Sequence, residues 1–206
     1  MVFPNPCVFF SQLKMVKLHH FHITVQEYHR RGKENLFPEL YGCPNPCCCY
    51  EGRLRRHGFF YRNALTLTAS YVIVIQRYYC PACKKTVSLL PSFLAPRFQY
   101  SLACIFYVLY QRLVNHLPMA HIALKVNMTS NRAEMAYQHV CFYCNRLLEN
   151  RPLITGFWGS EGVVLAASDP ASWARAFITT LSSSYHLEPF SLLYFAFQAR
   201  HFLSKS

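Results

Sequence analysis

The spacing of apolar and polar residues divides the chain into a strand-rich first half and a helical second half. Apolar, β-branched runs near 59–61, 65–75 and 86–90 are typical of short strands and predict a small antiparallel sheet. From residue 98 onward the pattern is helical instead. We therefore predict an α+β fold, in which a small antiparallel-β ribbon is followed by an all-α region and C-terminal helices.

The first part of the helical half has a pattern typical of DNA-reading proteins. A short helix is predicted over 119–126 and a longer one over 131–149, with Thr129 or Ser130 as the N-cap of the second. A short helix, a tight turn and a longer helix form a helix-turn-helix motif, although a plain helical hairpin has the same pattern. The side chains expected to meet DNA bases lie near the start of the second helix: Ser130, Asn131, Arg132, Met135 and Gln138.

The charge distribution points to an anionic partner. The chain carries a net charge of +12 at pH 7, and no Asp or Glu occurs between Gly52 and Ala133. A surface of one sign repels itself unless a partner of opposite charge cancels it. DNA or RNA is the first candidate for that partner, and an anionic membrane surface is the second. The most apolar run, 102–110, is shorter than the roughly 20 residues that a membrane span needs, so we predict no membrane segment.

Two short-spaced cysteine pairs bracket the basic stretch and predict a zinc site. Four thiolates on two turns form a tetrahedral zinc site without needing a large core. Cys80 and Cys83 form the second pair, and Cys43 belongs to the first. The fourth ligand lies in the run Cys47-Cys48-Cys49; we favour Cys48, with Cys47 as the alternative. A redox dithiol at Cys80 and Cys83 would need a helix behind it, whereas the following residues are strand-like.

Basic residues near the cysteine pairs are the predicted phosphate contacts. Arginine can bind a phosphate through two N–H groups at once. On a regular strand alternate side chains share a face, so Arg53 and Arg55 would point outward together. The residues predicted to hold phosphates are Arg53, Arg55, Arg56, Arg62, Arg77, Lys84 and Lys85.

Residues 43–91 resemble the zinc ribbon of insertion-sequence transposases. The resemblance rests on a C-P-x-x-x-C motif, on His57-Gly58, on Arg77 before Cys80-Pro81-Ala82-Cys83, and on Leu90-Pro91. The crowded Cys47-Cys48-Cys49 stands where that family has Cys-Gly. The helical region and aromatic tail are similar to a poorly characterised bacterial family of transposase-like zinc-ribbon proteins. The resemblance implies a DNA-binding role.

The acidic residues argue against a transposase active site. Common transposases hold two divalent metals with three carboxylates. The carboxylates after the ribbon are Glu134, Glu149, Glu161, Asp169 and Glu188, and none follows a plausible parallel strand. We therefore expect a non-enzymatic, zinc-dependent DNA-binding protein, an accessory or regulatory relative that acts beside a separate transposase subunit. The alternatives are a transposase or nuclease with an unrecognised active site and a protein-interaction module.

These predictions together define an organisation and a compartment. We expect an N-terminal arm over 1–36, a zinc ribbon over 37–97, a helix-turn-helix over 98–150 and a C-terminal helical tail over 151–206. The N-terminus lacks a basic segment followed by an apolar run, so we predict no signal peptide and a cytoplasmic location.

Overall fold

The computed structural model describes residues 15–129, 134–165, 169–184, 187–198 and 201–203. The chain forms two compact units. Among the described residues, the first unit comprises 15–62 and 72–91, and the second comprises 63–71 and everything from 92 onward.

The first unit is built on a four-stranded mixed sheet with the strand order β1-β4-β3-β2. Its elements are β1 (Val16–His19), α1 (Val25–Arg31), a 3-10 turn (Gly32–Glu34), β2 (Arg55–Leu65), β3 (Ser70–Tyr79) and β4 (Thr86–Pro91). β3 and β4 pair antiparallel, with Arg77 opposite Ser88. β1 pairs with β4 in parallel, with Val16 opposite Ser88.

The sheet corrects the prediction of an antiparallel ribbon. The protein is α+β, but β1 comes from the segment expected to be an arm, and it makes the sheet mixed. The sequence of β1 shows that it favours a strand. The same sequence does not indicate that β1 pairs with β4, which lies far along the chain, or that the two strands run parallel.

One face of the sheet is covered by α1 and the segment that follows it. Thr24 caps α1 by accepting a hydrogen bond from the Glu27 N–H, and the buried Tyr28 donates its hydroxyl to the Val74 carbonyl at 2.9 Å. Phe37 packs against Phe59 of β2, with ring centroids 5.6 Å apart. We call this the covered face.

Gly58 interrupts the alternation of side chains along β2. It has a φ of 82°, a conformation that glycine adopts without the penalty of a Cβ. Phe59 lies on the covered face, whereas the ring of His57 contacts Tyr79, a neighbour of Tyr78 on β3. Tyr78 donates a hydrogen bond from its hydroxyl to the Pro38 carbonyl on the covered face. Because adjacent side chains of a strand point to opposite faces, Tyr79 and its ring partner His57 lie on the other face. We call this the second face.

The second unit is helical and has an aromatic core. Its helices are α2 (Leu102–Leu113), α3 (Met119–Thr129), α4 (Tyr137–Glu149), α5 (Arg151–Ser160), α6 (Pro170–Ser184) and α7 (Leu187–Gln198). Trp158, Trp173, Phe177 and Phe190 are all buried and contact one another. Among the described helices, none has both the length and the apolar character needed to cross a membrane.

The predicted helix-turn-helix is wrong. α3 continues to Thr129 and α4 begins only at Tyr137, so the second helix starts later than the predicted residue 131. The Thr129 hydroxyl donates back to the Lys125 and Val126 carbonyls in the last turn of α3, so it does not cap the next helix. Threonine makes such local bonds at either end of a helix, so the sequence alone assigned it to the wrong helix.

A buried histidine in the second unit gives a pH-dependent stability. Complete burial lowers the pKa of His201 to about 3, and its ring accepts from the Leu203 N–H and bonds to the Ser191 hydroxyl. An unfolded chain protonates histidine below about pH 6.5, so the unfolded state binds more protons between the two pKa values. The stabilising contribution is therefore complete above about pH 6.5 and is lost as the pH falls toward 3.

We expect the free energy of unfolding of the second unit to decrease between about pH 7 and about pH 4.5 in urea denaturation. His201→Gln keeps a polar side chain but does not titrate, so its stability should change less over the same range. An equal change in the two proteins would contradict this role for His201.

Candidate metal centre and adjoining basic surface

Four cysteine side chains from two separate turns come together at one end of the sheet. The Sγ atoms of Cys43, Cys48, Cys80 and Cys83 all lie within 4.8 Å of one another. Across the two turns, Cys43 Sγ is 3.6 Å from Cys83 Sγ, and Cys48 Sγ is 3.8 Å from Cys80 Sγ. A zinc ion with Zn–S bonds of about 2.3 Å sets tetrahedral sulfur atoms about 3.8 Å apart. The group can therefore hold a metal ion, and its spacing fits zinc.

The backbone closes each cysteine turn. In the first turn, the Cys43 N–H donates to the Tyr50 carbonyl at 2.8 Å. In the second, which connects β3 to β4, the Cys80 N–H donates to the Lys85 carbonyl at 3.0 Å. Lys84 takes a φ of 58° in that turn, a left-handed conformation uncommon for a residue with a side chain. These turns hold the four sulfurs in place through local hydrogen bonds.

Backbone N–H groups also point at the sulfur atoms. Cys43 accepts from the backbone N–H of Asn45, and Cys83 accepts from that of Lys85. Cys48 likewise accepts from the backbone N–H of Tyr50. In each case the donor lies two residues after the cysteine. Hydrogen bonds of this kind stabilise a thiolate, which is the form that binds metal.

The thiols have unequal acidity before a metal binds. Burial raises the pKa of Cys43 to about 12, although the Asn45 N–H opposes the increase. Burial also acts against the Cys83 thiolate, but hydrogen bonds from the Lys85 N–H and the Asn45 side chain lower its pKa to about 7. Asn45 is itself buried, between Pro44 and Pro46. Asn45 was not among the predicted site residues, although its position between Pro44 and Pro46 is typical of a fixed turn.

The structure selects Cys48 from the crowded run Cys47-Cys48-Cys49. Cys47 and Cys49 are exposed and lie outside the group of four. Cys104 and Cys144 are buried in the helical unit, where burial raises the pKa of their thiols to about 12 and about 11. These two thiols are core residues.

Some of the predicted phosphate contacts are already used within the protein. Arg53 forms a salt bridge with Glu39 at 2.5 Å. Arg56 donates to the Phe37 carbonyl at 2.9 Å on the covered face. Burial lowers the pKa of Arg62. These three arginines are therefore less suited to contact phosphates than the sequence indicated.

The remaining predicted contacts gather near the cysteine group. His57 at the start of β2 contacts Tyr79 at the end of β3, with ring centroids 5.5 Å apart, and Tyr79 pairs with Thr86 at the start of β4. Arg55, Arg77, Lys84 and Lys85 flank these positions in the chain. We call Arg55, His57, Arg77, Lys84 and Lys85 the knuckle patch. Arg55, Lys84 and Lys85 are exposed, and none forms a salt bridge within the described part of the chain.

The predicted base-reading residues are not assembled in the described structure. Ser130, Asn131 and Arg132 lie outside the described residues. Met135 is buried, and its N–H and carbonyl bond to the Asn127 side chain. Gln138 is exposed in the first turn of α4. Among the described residues, the exposed basic side chains identified near the cysteine group lie on β2 and on the second cysteine turn.

Comparison with known proteins finds one similarity. A family model described as "Domain of unknown function (DUF6431)" matches residues 44–132. The matched region includes Cys48, Cys80 and Cys83, the strands β2 to β4 and the helices α2 and α3. No curated protein matches the chain, and no solved structure matches it. The family description assigns no activity, so the resemblance to transposase ribbons stays a prediction.

Proposed function

We propose that this chain is a zinc-dependent DNA-binding protein. Cys43, Cys48, Cys80 and Cys83 would supply all four ligands of the zinc ion. A closed set of four thiolates leaves no coordination position for substrate or water, which favours a structural ion over a catalytic one. The ion would hold together the two turns that border the knuckle patch.

The observation that carries the proposal is the position of the knuckle patch. Exposed cations from β2 and from the second cysteine turn lie at the end of the sheet that holds the four sulfurs. They belong to the stretch between Gly52 and Ala133 that contains no acidic residue. A local field of one sign attracts a polyanion, and the regularly spaced phosphates of DNA release counterions when lysine and arginine bind them.

The biological setting that we propose is an accessory or regulatory partner of a transposase. It is supported by the resemblance of residues 43–91 to transposase ribbons and by the few carboxylates that follow them. In this proposal the catalytic carboxylates belong to a separate polypeptide.

Removing a patch cation should weaken DNA binding in a salt-dependent way. We expect Arg55→Ala and Lys85→Ala each to lower the affinity and to reduce the slope of log affinity against log salt by about 0.7 to 0.9, the contribution of one phosphate contact in single-stranded or duplex DNA. Fluorescence anisotropy of a labelled oligonucleotide over a salt series measures both effects.

Lys33→Ala is the matched control, because Lys33 is exposed in the same unit but lies over the Phe59 ring on the covered face. It removes the same charge and should leave the slope unchanged. Equal slopes for all three variants and the unaltered protein would show that the knuckle patch does not contact phosphates.

A further inference from the structure

The cysteine end of the second face presents aromatic rings beside cations. The rings of His57 and Tyr79 lie 5.5 Å apart at an interplanar angle of 36°, and His57 is exposed while Tyr79 is half-buried. Arg55 precedes His57 by two residues, and Arg77 precedes Tyr79 by two, so all four side chains share the second face. Exposed Thr86 lies opposite Tyr79 in the register of β3 and β4.

The side chain of Arg77 is a second indication that this surface binds a ligand with a hydrogen-bond acceptor. Its Nε atom is buried and has no hydrogen-bond partner among the described residues. An unsatisfied buried donor costs free energy, and the cost is larger for a charged group. Arg77 is half-buried and precedes Tyr79 by two residues on the same strand, so its guanidinium group is suited to a phosphate or base oxygen brought by a ligand.

A ring pair between two arginines favours one physical form of DNA. In a duplex the flat faces of the bases are stacked on each other and cannot reach a protein ring. In a single strand the bases can stack on aromatic side chains while cations follow the backbone. Met135, one of the residues predicted to contact duplex bases, is buried, whereas the His57 and Tyr79 rings and the exposed Arg55 are in place on the second face.

We propose that the second face around His57 and Tyr79 binds single-stranded DNA. One or two bases stack on these rings, and Arg55 and Arg77 contact the adjoining phosphates. Lys84 and Lys85, on the turn that joins β3 to β4, extend the path of the backbone. This inference rests on the DNA-binding function proposed above and names the form of DNA that the site takes.

The test compares one labelled oligonucleotide alone and annealed to its complement, with the full-length, zinc-loaded protein at equal salt. We expect the single strand to bind at least about tenfold more tightly than the duplex. Tyr79→Leu and His57→Ala should each reduce single-strand affinity by about tenfold, the order of one stacked base. Tyr79→Phe keeps the ring and should bind like the unaltered protein.

Tyr61→Leu is the matched control for Tyr79→Leu. Tyr61 is 64% exposed on β2 and follows Phe59 by two residues, which places it on the covered face. It should leave the affinity unchanged. Zinc content and circular dichroism identify any variant that does not fold, and exposed His57→Ala keeps the test decisive if Tyr79→Leu fails to fold.

The outcomes separate this proposal from the more general one. Equal affinity for single strand and duplex, with no loss on His57→Ala, would overturn the stacking site and leave DNA binding intact. A loss on Tyr61→Leu as large as that on Tyr79→Leu would also overturn it. Absence of binding to both forms would overturn the proposed function itself.

Discussion

Replacing Cys80 by serine is expected to abolish metal binding and to unfold the first unit. Cys80 is fully buried, and it joins the end of β3 to the turn that leads into β4. Serine leaves three thiolates and a poor ligand in the group. Structural zinc contributes an apparent binding free energy of about 10–16 kcal/mol in zinc-finger peptides, comparable with the entire stability of a typical domain. Metal analysis and hydrogen exchange of the first unit measure the two effects.

Cys49→Ser is the control for this prediction. It makes the same chemical change next to Cys48, but Cys49 is an exposed free thiol outside the group of four. We expect it to keep both the metal and the exchange protection of the sheet. A Cys80→Ser protein that retained its metal and its sheet would contradict the assignment of Cys80 as a ligand.

Replacing Phe177 by alanine is expected to destabilise the second unit by about 3–5 kcal/mol, as for other fully buried aromatic residues. Phe177 is fully buried and stacks on Trp173 with ring centroids 5.4 Å apart. It also contacts Trp158 at 4.9 Å and Phe190 at 5.5 Å. Alanine would leave a cavity that the surrounding rings fill only in part. Urea denaturation followed by helical circular dichroism measures the change in the free energy of unfolding.

Leu193→Ala provides the comparison for Phe177→Ala. Leu193 is 57% exposed on α7, so its truncation should change stability by less than about 0.5 kcal/mol. Both variants should keep their metal, because the four cysteines belong to the first unit. Similar stability losses in the two variants would contradict the position of Phe177 in the core.

The four-cysteine group was the part of the protein that the sequence predicted best. A cysteine pair on a turn is a local feature, so its spacing identified Cys43, Cys80 and Cys83 directly. The sequence favoured Cys48 and kept Cys47 as an alternative, and the structure places the Sγ atom of Cys48 in the group of four. The basic stretch was also visible, but the sequence did not show that Glu39 pairs with Arg53.

The errors occurred where distant residues or small backbone changes decide the outcome. The parallel pairing of β1 with β4 joins segments far apart in the chain, and no local pattern encodes it. Gly58, with its positive φ, places His57 and Phe59 on opposite faces of β2, a change that strand alternation by itself does not predict. α4 starts at Tyr137, and just before it the Asn127 side chain bonds to the Met135 backbone, a contact that no local sequence pattern indicates.

The most direct test of the account is the metal content and coordination of the folded full-length protein. Elemental analysis gives the identity and stoichiometry of the ion, and X-ray absorption at the zinc edge gives its ligands. We predict one zinc ion per chain, surrounded by four sulfur atoms at about 2.3 Å. A folded protein without metal, or a zinc ion bound by nitrogen and oxygen, would contradict the four-cysteine centre on which the proposed function rests.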